Sequence, residues 1–310
     1  MTCPRCQYKN RTGAKFCESC GAPGPWAGRG WALRGATGMR RRARHVTAAI
    51  ALGAMFLGAA GTNLSTTIVR VPTLGATPAS LPGELTMPRG AGPFPAVILL
   101  HGCVGIVPAS RERLLEYASW YADRGYAGLI LDSFASRGVS AVCLGGEPNP
   151  LTRAFDAYRG LEYLAGLGSI DPRRVVLQGH SHGGATVLTA LDELTGEMAG
   201  TPLRFAAGVA YYPPCAYGSA ESAEYYAPVL ILIGEKDDWT PAEACERLHA
   251  RQQAHAPGRV RLTVYPAATH SFDFNAPPRR NEYGKYLAYD ADATRDAAQR
   301  VEGFLHEVVK

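Results

Sequence analysis

The chain has 310 residues, 46% hydrophobic and 19% charged, the composition of an ordinary soluble protein with one large domain and room for small appendages. Its net charge of +5 averages two unlike parts: residues 1–45 hold ten Lys/Arg and one acid, leaving 22 basic against 26 acidic residues in the remainder. That net −4 excludes a main domain built as a basic grip on nucleic acid.

The eight cysteines divide in the same way. Four lie in the first twenty residues, as Cys3-Pro4-Arg5-Cys6 and Cys17-Glu18-Ser19-Cys20-Gly21. Two C-x2-C pairs ten residues apart suit a tetrahedral Zn2+ site, with Cys3, Cys6, Cys17 and Cys20 as ligands. A segment of residues 1–21 cannot bury a core, so the metal would supply its folding energy. A pair of disulfides is the competing use. The run around Cys17–Pro23 resembles the short zinc-ribbon modules at the N-termini of many bacterial proteins. A partner-docking role is expected for it first, and nucleic-acid binding second.

Residues 22–45 read as a linker rich in Gly, Pro and Ala that ends in a basic cluster, Arg40-Arg41-Arg42-Ala43-Arg44. Residues 46–64 are uncharged and mostly apolar, and no charge appears before Arg70. Val46–Gly61 as a helix would reach roughly 24 Å, a little short of a bilayer core of about 30 Å, and residues 62–64 bring it into the spanning range. Two readings stay open: a transmembrane anchor with the arginines in the cytoplasm, or a secretory segment cut near Gly58-Ala59-Ala60. Either exports residues 65–310, in a bacterium to the outer face of the inner membrane or to the periplasm or medium. A buried helix of a soluble domain would leave the charge step without a use. Translation from Met39 would omit the ribbon.

From Ser65 the pattern is α/β. Residues 66–71 and 84–87 read as an antiparallel pair. Strands follow at 96–100, 127–131, 175–177, 205–210, 229–233 and 260–264, and helices at 111–123, 151–167, 241–254 and 290–309. Alternating strands and helices imply a mostly parallel sheet covered on both faces.

The organising stretch is Gly179-His180-Ser181-His182-Gly183-Gly184, between an apolar run and the helical Ala185–Leu191. Strand, G-x-S-x-G, helix is the context of a nucleophile elbow, in which glycines make room for a strained turn that presents the serine. A serine hydroxyl needs a base held by a third group. Two later strand ends supply them: Gly234-Glu235-Lys236-Asp237-Asp238-Trp239-Thr240-Pro241 and Tyr265-Pro266-Ala267-Ala268-Thr269-His270. The order Ser181, Asp237, His270 is that of the α/β-hydrolase fold, with Ser181 as nucleophile, His270 as base and then acid, and Asp237 orienting the imidazole. Asp238 is the rival acid; the spacing from Gly234 and to Pro241 favours Asp237. Backbone N–H groups of His182 and of Cys103, in His101-Gly102-Cys103-Val104-Gly105, are the expected oxyanion donors. His180 and His182 read as packing or pocket residues, and His101 as structural. Phe134, Tyr212 and Trp239 follow strand ends and are expected to line the cleft, which suggests an apolar or aromatic acyl or alcohol group.

The segments His101-Gly102-Cys103, Asp132-Ser133-Phe134 with Arg137-Gly138, Gly234–Pro241 and Tyr265-Pro266…His270-Ser271-Phe272-Asp273 resemble the dienelactone hydrolase family of α/β-hydrolases, over roughly residues 65–310. The resemblance implies hydrolysis of an ester or lactone through an acyl-enzyme, with no catalytic cofactor. The enzymes that give the family its name carry cysteine where this chain has Ser181, so a general carboxylesterase is the expected activity. An inactive, hydrolase-like binding module tethered to a zinc-ribbon docking domain is the alternative. For the four later cysteines, Cys215 and Cys245 both fall near the carboxyl edge of the sheet. That suggests the pairs Cys215–Cys245 and Cys103–Cys143; four free thiols are the other outcome.

Overall fold

Continuous apolar runs form the middle of the sheet. In the computed structural model, which describes residues 64–73, 78–216 and 223–309, β3 (Phe94–Leu100) and β4 (Ala127–Leu131) are buried almost throughout. So are β6 (Ala207–Tyr211) and β7 (Val229–Gly234). Strands without polar alternation need cover on both faces. That cover is visible at neighbouring residues of β4. Gly128 lies against Ala118 of α1 (Pro108–Ala122), whereas Leu129, pointing the other way, meets Gly160 of α2 (Pro150–Ala165).

The sheet has eight strands in the order β1-β2-β4-β3-β5-β6-β7-β8, where β1 is Thr66–Pro72, β2 Ser80–Thr86, β5 Ile170–His180 and β8 Val260–Tyr265. β1 and β2 pair antiparallel, and β2 pairs antiparallel with β4. From β4 to β8 all pairs are parallel. The expected mostly parallel, doubly covered sheet is thus present.

Polar caps set where the helices begin. The Asn149 side chain accepts from the Thr152 N–H ahead of α2, and Pro150 stands where a missing N–H costs nothing. Asp290 does the same for α6 (Ala291–Val308), whose buried Ala293, Ala297, Val301 and Phe304 recur every three or four residues. α3 (His182–Ala190) and α5 (Ala242–His255) stand where helices are expected.

Four elements exceed the sequence expectation, one of them a single 3-10 turn at Ala135–Arg137. A short α4 (Glu193–Met198) follows α3. Two-residue strands β9 (Arg279–Arg280) and β10 (Tyr286–Leu287) form a separate hairpin. Strands of two residues carry no readable alternation.

Both cysteine pairs are disulfides, Cys103–Cys143 and Cys215–Cys245. Among the described residues no helix is long and apolar enough to cross a membrane. Cys3, Cys6, Cys17, Cys20, the linker and all but the last residue of the 46–64 segment lie outside the described residues.

Candidate active site

The register of the parallel strands brings their carboxyl ends level: Leu100 lies beside Gly179, and Gly179 beside Ala210. At that edge β5 turns directly into α3. Ser181 occupies the turn with φ 55° and ψ −116°, outside the regions an L-residue prefers. Such a residue costs about 1–3 kcal/mol and persists only where its surroundings enforce it. Here they do. A side chain at Gly179 would sit 2.1 Å from the Gly183 carbonyl oxygen, and one at Gly183 2.6 Å from that of Leu100. The Ser181 N–H donates to the Tyr211 carbonyl (2.9 Å).

One flank of Ser181 is a line of side chains. His270 Nε2 lies 3.0 Å from Ser181 Oγ, and its Nδ1 donates to Asp237 Oδ2 at 2.7 Å. Asp237 also accepts from the Trp239 N–H (2.9 Å), the Thr240 N–H (2.8 Å) and the Thr240 hydroxyl (2.7 Å). Burial opposes ionisation of this carboxyl, but the adjacent His270 and these donors outweigh it and hold Asp237 below the usual carboxylate range. Asp238 points elsewhere. Its carboxylate accepts from the Tyr286 N–H of the β9–β10 hairpin (3.2 Å), and Lys285 Nζ donates to its carbonyl (2.5 Å).

The other flank is the loop after β3. Gly102 passes so close that a side chain there would meet Ser181 Cβ at 3.7 Å. Cys103 follows, its sulfur bonded to Cys143, so only its main chain is left to act. His182, the other expected donor, is the first residue of α3, where the helix dipole favours negative charge. Beneath this flank lies Arg153, fully buried. It donates to His182 Nδ1 (2.7 Å) and to the His101 carbonyl (2.8 Å), and its guanidinium sits 5.1 Å from the Phe134 ring centre. Burial, reinforced by Arg153, pushes His182 down to about 3, so the ring is neutral.

A cavity of about 390 Å3 opens over Ser181 and His270, with Cys103, Tyr212 and Trp239 in its lining. The hairpin supplies much of one wall through Arg279, Tyr283 and Leu287. Trp239 lies 5.0 Å and Tyr212 4.7 Å from the His270 ring. Phe134 departs from expectation: it is 1% exposed and does not line the cavity. Asp132 Oδ1 accepts from the Phe134 and Ala135 N–H groups, and this turn directs the ring inward, edge-on to His101 at 4.5 Å.

Sequence reasoning also missed Asp273, which is buried and accepts from the Tyr117 (2.6 Å) and Tyr212 (2.8 Å) hydroxyls with Arg113 at 3.4 Å. Burial opposes its ionisation; His180, Arg113 and the two phenols outweigh it and lower it. His180, 3.6 Å away, is pushed by burial down to about 4. The structure therefore brings Ser181, His270, Asp237, Cys103, His182, Tyr212 and Trp239 to one place. Arg153 could have been noticed, since it shares a helical face with Ala157 and Leu161, where an apolar residue is the rule.

Comparison with known proteins places this architecture. A dienelactone hydrolase family model matches residues 81–309, and a zinc-ribbon domain model matches residues 2–24. An uncharacterized protein of Mycobacterium tuberculosis is 30% identical over 193 residues, 58% of this chain; the match spans 64% of that protein's own length. A provisionally named dienelactone hydrolase from Klebsiella pneumoniae superposes with a TM-score of 0.63 at 20% identity, covering 79% of this chain and 100% of that one. EstE1, a carboxylesterase from a metagenomic library, does so with a TM-score of 0.55 at 17% identity, covering 79% of this chain and 90% of its own. At such identities these two structures show the shared fold alone, whereas the family model covers most of the chain. With the elbow serine at the carboxyl edge of the sheet, this chain belongs to the dienelactone hydrolase family.

Proposed function

We propose that this protein is a serine hydrolase that cleaves carboxylic esters or lactones through an acyl-enzyme. The observation that carries the reading is the line Asp237–His270–Ser181, with contacts of 2.7 and 3.0 Å, opening into the 390 Å3 cavity. His270 takes the Ser181 proton as Oγ attacks the carbonyl carbon. The carbonyl oxygen becomes an oxyanion held by the Cys103 and His182 N–H groups. His270 then protonates the leaving alcohol, which departs as the acyl-enzyme forms. Water, deprotonated by the same imidazole, releases the acid and restores Ser181. Asp237, kept ionised by its donors, holds the imidazole in the tautomer that accepts at Nε2 and stabilises the imidazolium. Tyr212, Trp239 and the hairpin side chains favour a substrate with an apolar or aromatic acyl or alcohol group. The names of the two similar structures, a dienelactone hydrolase and a carboxylesterase, support ester cleavage.

Cys3, Cys6, Cys17 and Cys20 would hold a structural Zn2+, with the ribbon as a protein-docking module. The hydrolase domain would lie outside the cytoplasm, delivered or anchored through residues 46–64. The disulfides Cys103–Cys143 and Cys215–Cys245 support that location, since such bonds persist in oxidising compartments.

The test is fluorophosphonate labelling of the full chain beside Ser181→Ala, together with turnover of short p-nitrophenyl esters. Labelling and turnover that vanish in the variant support the reading. A folded, disulfide-intact wild-type protein that neither labels nor turns over ester would sink it and favour the binding module.

A further inference from the structure

Arg153 is a buried cation with an unusual set of partners. It sits in the first turn of α2, fully buried, and among the described residues no carboxylate pairs with it. Asp156, the nearest acid along the helix, is instead held by Arg137 at 2.8 and 2.9 Å. Asp156 and Asp132 favour its charge only from beyond contact distance, and a desolvated charge without a contacting counter-ion is costly, so that an apolar residue of similar volume often serves a fold better. Its two acceptors show what the charge is used for. One is the carbonyl of His101, two residues before Cys103; the other is the ring of His182. These two segments supply the proposed oxyanion donors, and they come from different strands, β3 and β5.

The side chain's chemistry fits that position. A guanidinium is a rigid planar fork with donors only, so one group can bridge two acceptors at a set separation. Because Arg153 only donates, His182 Nδ1 must accept, which leaves the ring neutral with its proton on Nε2. The Cys103–Cys143 disulfide restrains the loop from one side; Arg153 restrains it from beneath and ties it to the start of α3. The positive charge also lies within one side chain's length of both donor segments, where the transition state gains negative charge.

We propose that Arg153 is a positioning residue for the oxyanion hole: its guanidinium fixes the loop after β3 and the N-terminus of α3 at the separation the oxyanion requires, and its charge favours the oxyanion over the neutral ester. The proposal rests on the serine-hydrolase reading above. An interaction of this kind acts on the transition state more than on bound ester, so its loss lowers kcat and leaves KM in place.

The experiment compares wild-type full-length protein with Arg153→Lys and Arg153→Met, each checked for folding by thermal unfolding. kcat and KM are measured on p-nitrophenyl butyrate, along with inhibition by an aryl trifluoromethyl ketone, whose adduct with Ser181 carries an oxyanion. The expected result is a fall in kcat of about 10–100-fold in Arg153→Met, with KM within about twofold and ketone inhibition weakened by a similar factor. Arg153→Lys, which keeps the charge but loses the fork, falls between the two. Should Arg153→Met not fold, Arg153→Lys decides: a lowered kcat at unchanged KM supports the proposal, and wild-type kcat with wild-type ketone affinity overturns it. A folded Arg153→Met with wild-type kcat also overturns it, as does a loss confined to KM. Wild-type protein inert to ester and ketone would remove the reading beneath the proposal, which an active wild type with indifferent variants would not.

Discussion

The two flanks of Ser181 are held by different means. On the His270 side, beside the Tyr212 and Trp239 rings, the restraint is hydrogen bonding: Asp237 collects four donors, two from main chain and two from side chains, and only one of them belongs to the imidazole. On the Cys103 side the restraint is a covalent bridge above and a buried guanidinium below. The difference follows from what each flank is proposed to do. A side that passes protons changes charge in every cycle, and a carboxylate with spare donors accommodates the change without moving. A side that offers only main-chain N–H groups changes no charge of its own and needs rigidity, which preorganised donors convert into transition-state binding.

The sharpest way to break this comparison is at adjacent acids. Asp237→Asn removes the group that fixes the imidazole tautomer, and kcat should fall by roughly 10^4-fold, as for the corresponding change in other triads. Asp238→Ala should leave kcat within about threefold and raise KM a few-fold, because Asp238 secures the β9–β10 hairpin on the cavity wall. Steady-state kinetics on one ester decides both, and comparable losses of kcat would refute the division between the two residues.

The two disulfides sharpen it next. They close loops of 40 and 30 residues, for which chain entropy gives nearly the same stabilisation, about 4 kcal/mol each. Paired Cys→Ser replacements should therefore cost similar stability in urea. Only loss of Cys103–Cys143 should lower kcat, by about tenfold, since only that bond holds a proposed oxyanion donor. Equal effects on kcat would mean the loop needs no bridge.

The smallest effect concerns the buried carboxylate cluster. His180 ionises at about 4 in the fold against 6.5 unfolded, so the unfolded chain binds the proton first as pH falls. Its contribution, on the order of 3 kcal/mol by the size of that shift, is fully present above pH 6.5 and is lost between 6.5 and 4. Asp273, held below its ordinary value, adds a loss only below about pH 4. Thermal unfolding across pH 4–8 should show the decline, and His180→Phe should lessen it, the rest coming from His101 and His182, which burial also pushes down. An unchanged slope in that variant would exclude His180 as a contributor.

Much of this was legible before any coordinates. The elbow is dictated by sterics that admit only glycine at 179 and 183, so its spacing survives in the sequence. The buried parallel strands announce themselves as unbroken apolar runs. The choice between Asp237 and Asp238 was partly legible, because a turn that caps itself on Thr240 needs its acid three residues earlier. Phe134 was misplaced because a residue after a strand end can turn either way, and the Asp132 turn sent it inward. The helical face marks Arg153 as buried, but its role and that of Asp273 were hidden for a different reason. Their roles depend on partners 29 to 160 residues away, and no local pattern records such pairings.

The β9–β10 hairpin gives the molecule an interchangeable part. Its strand residues are exposed or half-buried, so they contribute little to folding, yet the hairpin forms a wall of the cavity over Ser181. It is attached to the Asp238 carboxylate and carbonyl and, through a bridge between Leu287 and His270, to the imidazole's own segment. The part of the cavity wall that the hairpin supplies is thus encoded apart from Ser181, Asp237 and His270. Under the proposed activity, a library confined to residues 276–289 is the place to look for new specificities.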